Sequence, residues 1–90
     1  MKLRGEFVVR QIMDHVTAIP VGSTALQFNG MILLNDVSRV IWECLSTGCT
    51  VEEITAAVTE QFDVEAAEAT ADILELVDKL RTAQLLDEEE

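Results

Sequence analysis

The chain has one histidine, one proline, one tryptophan, no tyrosine and only two cysteines. With His15 as its lone histidine, no Ser-His-acid or Cys-His set can be assembled with any support from spacing. His15 falls in an expected turn and reads as an exposed histidine rather than a base. The cysteines, Cys44 and Cys49, lack the C-x-x-C spacing of a zinc or redox pair. One lies on an apolar helical stripe and the other at a helix entry, so both read as small hydrophobes that stay reduced. There is no glycine-rich phosphate loop and no cluster of metal ligands. The expectation is a protein without catalytic residues, metal or cofactor.

Positive charge is also scarce. Six Lys and Arg face 17 Asp and Glu, for a net charge of −11. That balance favours solubility and repels phosphate. Long apolar runs are missing too: nothing approaches the ~20 residues a helix needs to cross a bilayer. The charged opening Met1-Lys2-Leu3-Arg4-Gly5-Glu6 leads into no secretory segment. A cytoplasmic location and no membrane partner are expected.

What is present is enough for a core, because 49% of the 90 residues are hydrophobic. Residues 1–90 read as a single domain, with 87–90 a solvated acidic tail. Glu6 to Met13 is rich in β formers and reads as a first strand. Asp14-His15 is the expected turn. Val16 to Ile19 reads as a second strand stopped by Pro20 and Gly22. Ser23 to Phe28 fits a loop, a strand or one helical turn equally. Met31 to Leu34 is a short apolar run between Asn29-Gly30 and Asn35-Asp36, hence a third strand, with Asn35 or Asp36 capping a helix after it.

Everything after that strand has helical periodicity. Val37, Val40, Ile41, Cys44 and Leu45 form one stripe, with Trp42 off its centre at the sheet margin and Gly48 at the helix end. Thr50 and Glu53 form a capping box for a second helix, with Cys49 and Ile54 as its staple and Val51, Ile54, Ala57, Val58 and Phe62 inward. Asp63 is the expected cap of the third. Its stripe is Ala66, Ala69, Ile73, Leu76, Val77 and Leu80, with Leu85-Leu86 closing the core. The order β-β-β-α-α-α predicts an α+β, winged-helix-like fold: a three-stranded antiparallel sheet followed by three helices.

Winged helices often bind DNA, but here the second helix carries Glu52, Glu53 and Glu60 and no Lys or Arg. Duplex affinity depends on neutralised phosphates, so no nucleic-acid partner is expected. The remaining feature is the third strand. Met31 to Leu34 has no Lys, Pro or other guard of the kind that blunts an exposed edge. An extended peptide can pair with such an edge. The same run also fits a strand covered by its own helices, or an edge used by an acidic protein–protein adaptor or a self-associating domain.

The residues Phe28-Asn29-Gly30, Leu33-Leu34-Asn35, Ile41-Trp42, Leu45 and Gly48 are followed by Thr50, Glu53-Ile54 and Phe62-Asp63-Val64. Asp72-Ile73, Leu76, Leu80 and Leu85-Leu86 complete the series. In this order the chain resembles the PqqD-like proteins, recognition elements for the precursors of ribosomally synthesised, post-translationally modified peptides. Gln84 departs from the pattern, since such proteins often have glycine before the final leucine pair. The resemblance implies a peptide chaperone. In the family, a precursor's leader segment adds as a strand beside the third strand and packs on the third helix. A modifying enzyme, frequently a radical S-adenosylmethionine enzyme, then acts on the presented core. Carried over, the pairing edge is Met31, Ile32, Leu33 and Leu34. The helix wall is drawn from Ala69, Ile73, Leu76, Val77, Lys79 and Leu80, whose apolar members serve core packing equally well. Lys79 and Arg81 either meet acidic leader side chains or complement the helix dipole.

Overall fold

The computed structural model of the chain describes residues 1–28 and 30–88. Asn29 of the expected Asn29-Gly30 turn and the last two residues of the acidic tail lie outside them. The elements are β1 (Lys2–Leu3), β2 (Phe7–Ile12), β3 (His15–Pro20), α1 (Thr24–Gln27), β4 (Ile32–Leu34), α2 (Asp36–Thr47), α3 (Val51–Gln61), α4 (Ala66–Thr82) and β5 (Leu86–Asp87). The α+β architecture is the expected one: an antiparallel sheet of order β2-β3-β4 followed by α2, α3 and α4. Two additions are invisible to periodicity because each is so short. The ambiguous stretch forms the single turn α1. The chain's ends form a second sheet, in which Lys2 pairs with Asp87 and Leu3 with Leu86.

The β2-β3 hairpin turns at Met13-Asp14, with Ile12 opposite His15, one residue before the expected Asp14-His15. Pro20 gives the reason. The Val21 N–H donates to the Glu6 carbonyl at 3.0 Å, so in this register the pairs Glu6/Val21, Val8/Ile19, Arg10/Thr17 and Ile12/His15 are the hydrogen-bonded ones. Pro20, opposite Phe7, then occupies a non-bonded position and withdraws no ladder donor. A turn at Asp14-His15 would place the proline where an N–H is required. The chosen register instead puts Met13 at φ 57°, a conformation uncommon outside glycine, asparagine and aspartate.

Rows of cross-strand partners alternate between the two faces of the sheet. Ala18 with Ile32, and Val16 with Leu34, face the helices. Ala18, Ile32 and Leu34 are buried there against Ile41, Trp42 and Leu45 of α2, Ile54 and Val58 of α3, and Ile73, Val77 and Leu80 of α4. Trp42 meets Phe7 edge-on, ring centres 5.0 Å apart and planes at 87°, the arrangement aromatic quadrupoles prefer.

Helix starts follow local hydrogen bonding. Asn35 caps α2 through a reciprocal box with Ser38, and Thr50 caps α3 with Glu53. Asp63 does not cap α4. The Val64 N–H turns back to the Phe62 carbonyl at 3.0 Å, which delays the helix to Ala66, with Glu65 at the N-cap and no side-chain cap bond. Ala66 is accordingly exposed, and the buried stripe begins at Ala69.

The C-terminal end of α4 explains Gln84. The Leu85 N–H donates to the Leu80 carbonyl at 2.8 Å and the Gln84 N–H to the Arg81 carbonyl at 3.0 Å. This is a Schellman motif, in which the residue after the cap must be left-handed. Gln84 meets that demand at φ 61°, where a glycine carries no Cβ penalty. Gln84→Gly is therefore expected to stabilise the fold by about 0.5–1 kcal/mol. Thermal unfolding should show a rise in midpoint of roughly 3–6 °C.

Candidate functional site

The hydrogen-bond alternation that accommodates Pro20 also decides which backbone groups of β4 are free. Thr17 is bonded to β2, so Val16 and Ala18 turn their backbone groups toward β4. They pair there with Leu34 and Ile32. Leu33, opposite Thr17 in the non-bonded position, therefore directs its N–H and C=O away from the sheet. No strand lies on that side among the described residues. The side chains alternate in step: Ile32 and Leu34 are buried, whereas Leu33 is 66% exposed and Met31, just before the strand, is 59% exposed. Of the four residues expected to form the edge, Leu33 supplies the outward backbone within β4, and Ile32 and Leu34 hold the strand in place.

Beside this edge runs a cleft of about 230 Å³ between β4, the first turns of α2 and α4. That is below the ~300–1,000 Å³ of typical small-molecule sites and suits individual side chains rather than a whole ligand. Its floor is Ile32, Val37 and Ile41, and its far wall is Asp72, Glu75, Leu76 and Lys79 of α4. Asn35 and Ser38 also line it, and the Asn35 amide oxygen and the Ser38 hydroxyl are engaged in the helix cap: Asn35 Oδ1 accepts from the Ser38 N–H at 2.8 Å and from the Ser38 hydroxyl at 2.7 Å.

The third-helix residues expected at the site divide between two duties. Leu76 and Lys79 line the cleft. Ala69, Ile73, Val77 and Leu80 are wholly buried in the core. Asp72 and Glu75 join the wall although the apolar stripe does not mark them. They belong to the same helical face as Leu76 and Lys79, being three, four and seven residues apart, on the polar border of that stripe. The signal lies in the spacing of the border rather than in the stripe itself. Arg81 lies away from the cleft and forms ion pairs with Asp78 at 2.6 Å and Glu88 at 2.7 Å.

The arrangement holds an extended chain more readily than it performs chemistry. His15 is exposed at the start of β3. The Cys44 thiol is pushed above its ordinary pKa by partial burial and then by neighbouring Cys49, which disfavours the nucleophilic thiolate. Among the described residues no strand pairs with the sheet's other edge either: the alternation turns the backbone of Phe7, Val9 and Gln11 outward from β2. Among the described residues, no helix is long and apolar enough to cross a membrane.

Three comparisons bear on this site. The family "Coenzyme PQQ synthesis protein D (PqqD)" matches residues 9–86. No curated protein matches the chain. Among solved structures, the chain is similar to "TbiB1 in Complex with the TbiA(beta) Leader Peptide", with a TM-score of 0.71 and 23% identity, covering 100% of this chain and 99% of that one. At that identity the likeness is one of fold.

Proposed function

This chain belongs to the PqqD family, and from that membership we propose that it is a recognition element for the leader segment of a ribosomally made precursor peptide. Residues 1–90 act as one peptide-binding domain. The leader adds as a strand along β4, exchanging hydrogen bonds with the Leu33 backbone and extending past Met31. Its inward side chains drop into the cleft over Ile32 and against Leu76 and Lys79. The domain contributes no bond-making of its own and presents the rest of the precursor to a modifying enzyme, a radical S-adenosylmethionine enzyme being one candidate. The observation that carries the reading is the outward-facing Leu33 backbone beside a cleft sized for side chains. The solved complex of TbiB1, which has a leader peptide bound on the same fold, supports it.

The test is calorimetric titration with the leader peptide of the cognate precursor. A saturable one-to-one isotherm is expected, and silence at high micromolar concentration contradicts the reading. A second reading draws on the outward backbone of Phe7, Val9 and Gln11: self-association through the β2 edge, as in an acidic adaptor. It predicts a dimer whose size depends on concentration and not on peptide.

A further inference from the structure

We infer that the segment captured in this groove carries a basic side chain, placed opposite Asp72 and Glu75, next to an apolar one over Leu76. The inference rests on the strand-capture reading above and specifies the chemistry of its ligand.

The cleft wall on α4 is charged and unneutralised. Lower on the same helix, Asp78 is already paired with Arg81. Asp72 and Glu75 form no ion pair among the described residues, and neither does Lys79, although it lies one turn from Glu75. Three charges that line a cleft and leave one another alone are available to a ligand. In the nearby cap the Asn35 amide oxygen and the Ser38 hydroxyl are already bonded to each other, so the charged groups that line the cleft are those of α4.

Spacing fixes the order. From Asp72 to Lys79 the wall spans roughly 10 Å at the helical rise of about 1.5 Å per residue. Same-face side chains of an added strand stand about 6.8 Å apart, so two or three of them cover the wall. The end at Asp72 and Glu75 takes a lysine or arginine, the centre at Leu76 takes an apolar side chain, and the end at Lys79 rejects a second cation. Opposite signs at the two ends also define the direction in which the peptide lies. At longer range, the chain's net charge of −11 draws a cationic segment in and accelerates its association.

The experiment is an mRNA-display selection of random 14-residue peptides on the full chain, run in parallel on wild type and the double variant Asp72→Lys/Glu75→Lys. Wild type should enrich peptides with Lys or Arg at one fixed position, two residues from an apolar one. The charge-reversed protein should enrich Asp or Glu at that position and keep the apolar one. Affinity of a selected peptide should fall roughly five- to tenfold on Asp72→Asn/Glu75→Asn, the ratio expected of two exposed ion pairs, and should weaken with added salt. Both residues are exposed, and a thermal melt confirms that each variant is folded. If the enriched peptides depend on the Leu33 backbone but show no charge preference, the inference is overturned while strand capture stands. If no enriched peptide depends on Leu33, strand capture fails and the inference falls with it.

Discussion

Leu33→Pro is expected to weaken peptide capture roughly 30- to 150-fold while leaving the protein folded. The register directs the Leu33 N–H to the open side of β4, so a proline there removes a donor that the free protein does not use. The bound peptide then loses a hydrogen bond and keeps an unsatisfied carbonyl, a penalty of about 2–3 kcal/mol, or roughly 30- to 150-fold in affinity. The stability change should stay within about 1 kcal/mol, because the proline sits on an edge and the Leu33 side chain is 66% exposed. Three companions make the result specific. Leu33→Ala keeps the N–H and should retain most of the affinity. Ile32→Pro withdraws a donor from the pair with Ala18, deletes a buried side chain and should unfold the domain. Val9→Pro, on the opposite edge, should leave capture intact. Calorimetry and thermal melts of the set separate a backbone effect from loss of fold. A Val9→Pro protein that fails to bind would move the site to β2.

The second large effect is on stability. Ile73 is fully buried, so Ile73→Ala is expected to cost about 3–4 kcal/mol in lost burial and cavity formation. A domain of this size has only about 5–13 kcal/mol in all, and the midpoint should drop by roughly 12–25 °C. At a temperature where the variant remains folded, its affinity for peptide should match wild type, because Ile73 faces the core rather than the cleft. Leu76→Ala should behave differently: Leu76 both packs in the core and lines the cleft, so stability and affinity should fall together. Equal losses of affinity in the two variants would contradict the division of α4 into a core face and a wall.

Much of this architecture is legible in the residues. The order of strands and helices follows from the switch in hydrophobic period after Leu34, and the Thr50–Glu53 box from its spacing. The features that escape are fixed by contacts distant in sequence. Two-residue strands at the chain's ends carry no period, and Lys2 and Asp87 meet only when the fold closes. The hairpin register is set by Pro20, at the far end of β3 from the turn it displaces, through which backbone groups must bond. Asp63 has the chemistry of a cap but loses the position to the backbone bond at Val64. At the site, an apolar stripe marks the side of a helix that is buried but not where burial ends. The stripe therefore groups Leu76 with residues that belong to the core and leaves Asp72 and Glu75 as solvated surface, while Lys79 enters only through the family resemblance. The departure at Gln84 is visible in sequence, and the Schellman geometry shows what it costs.

Amide hydrogen exchange at Leu33 tests strand capture most directly. In the free protein the Leu33 N–H should exchange rapidly while those of Ile32 and Leu34, bonded to β3, are protected. On saturation with a selected peptide, Leu33 should become protected and its neighbours should change little. A Leu33 amide already protected in the free protein, or still unprotected when the peptide is bound, would contradict capture along this edge.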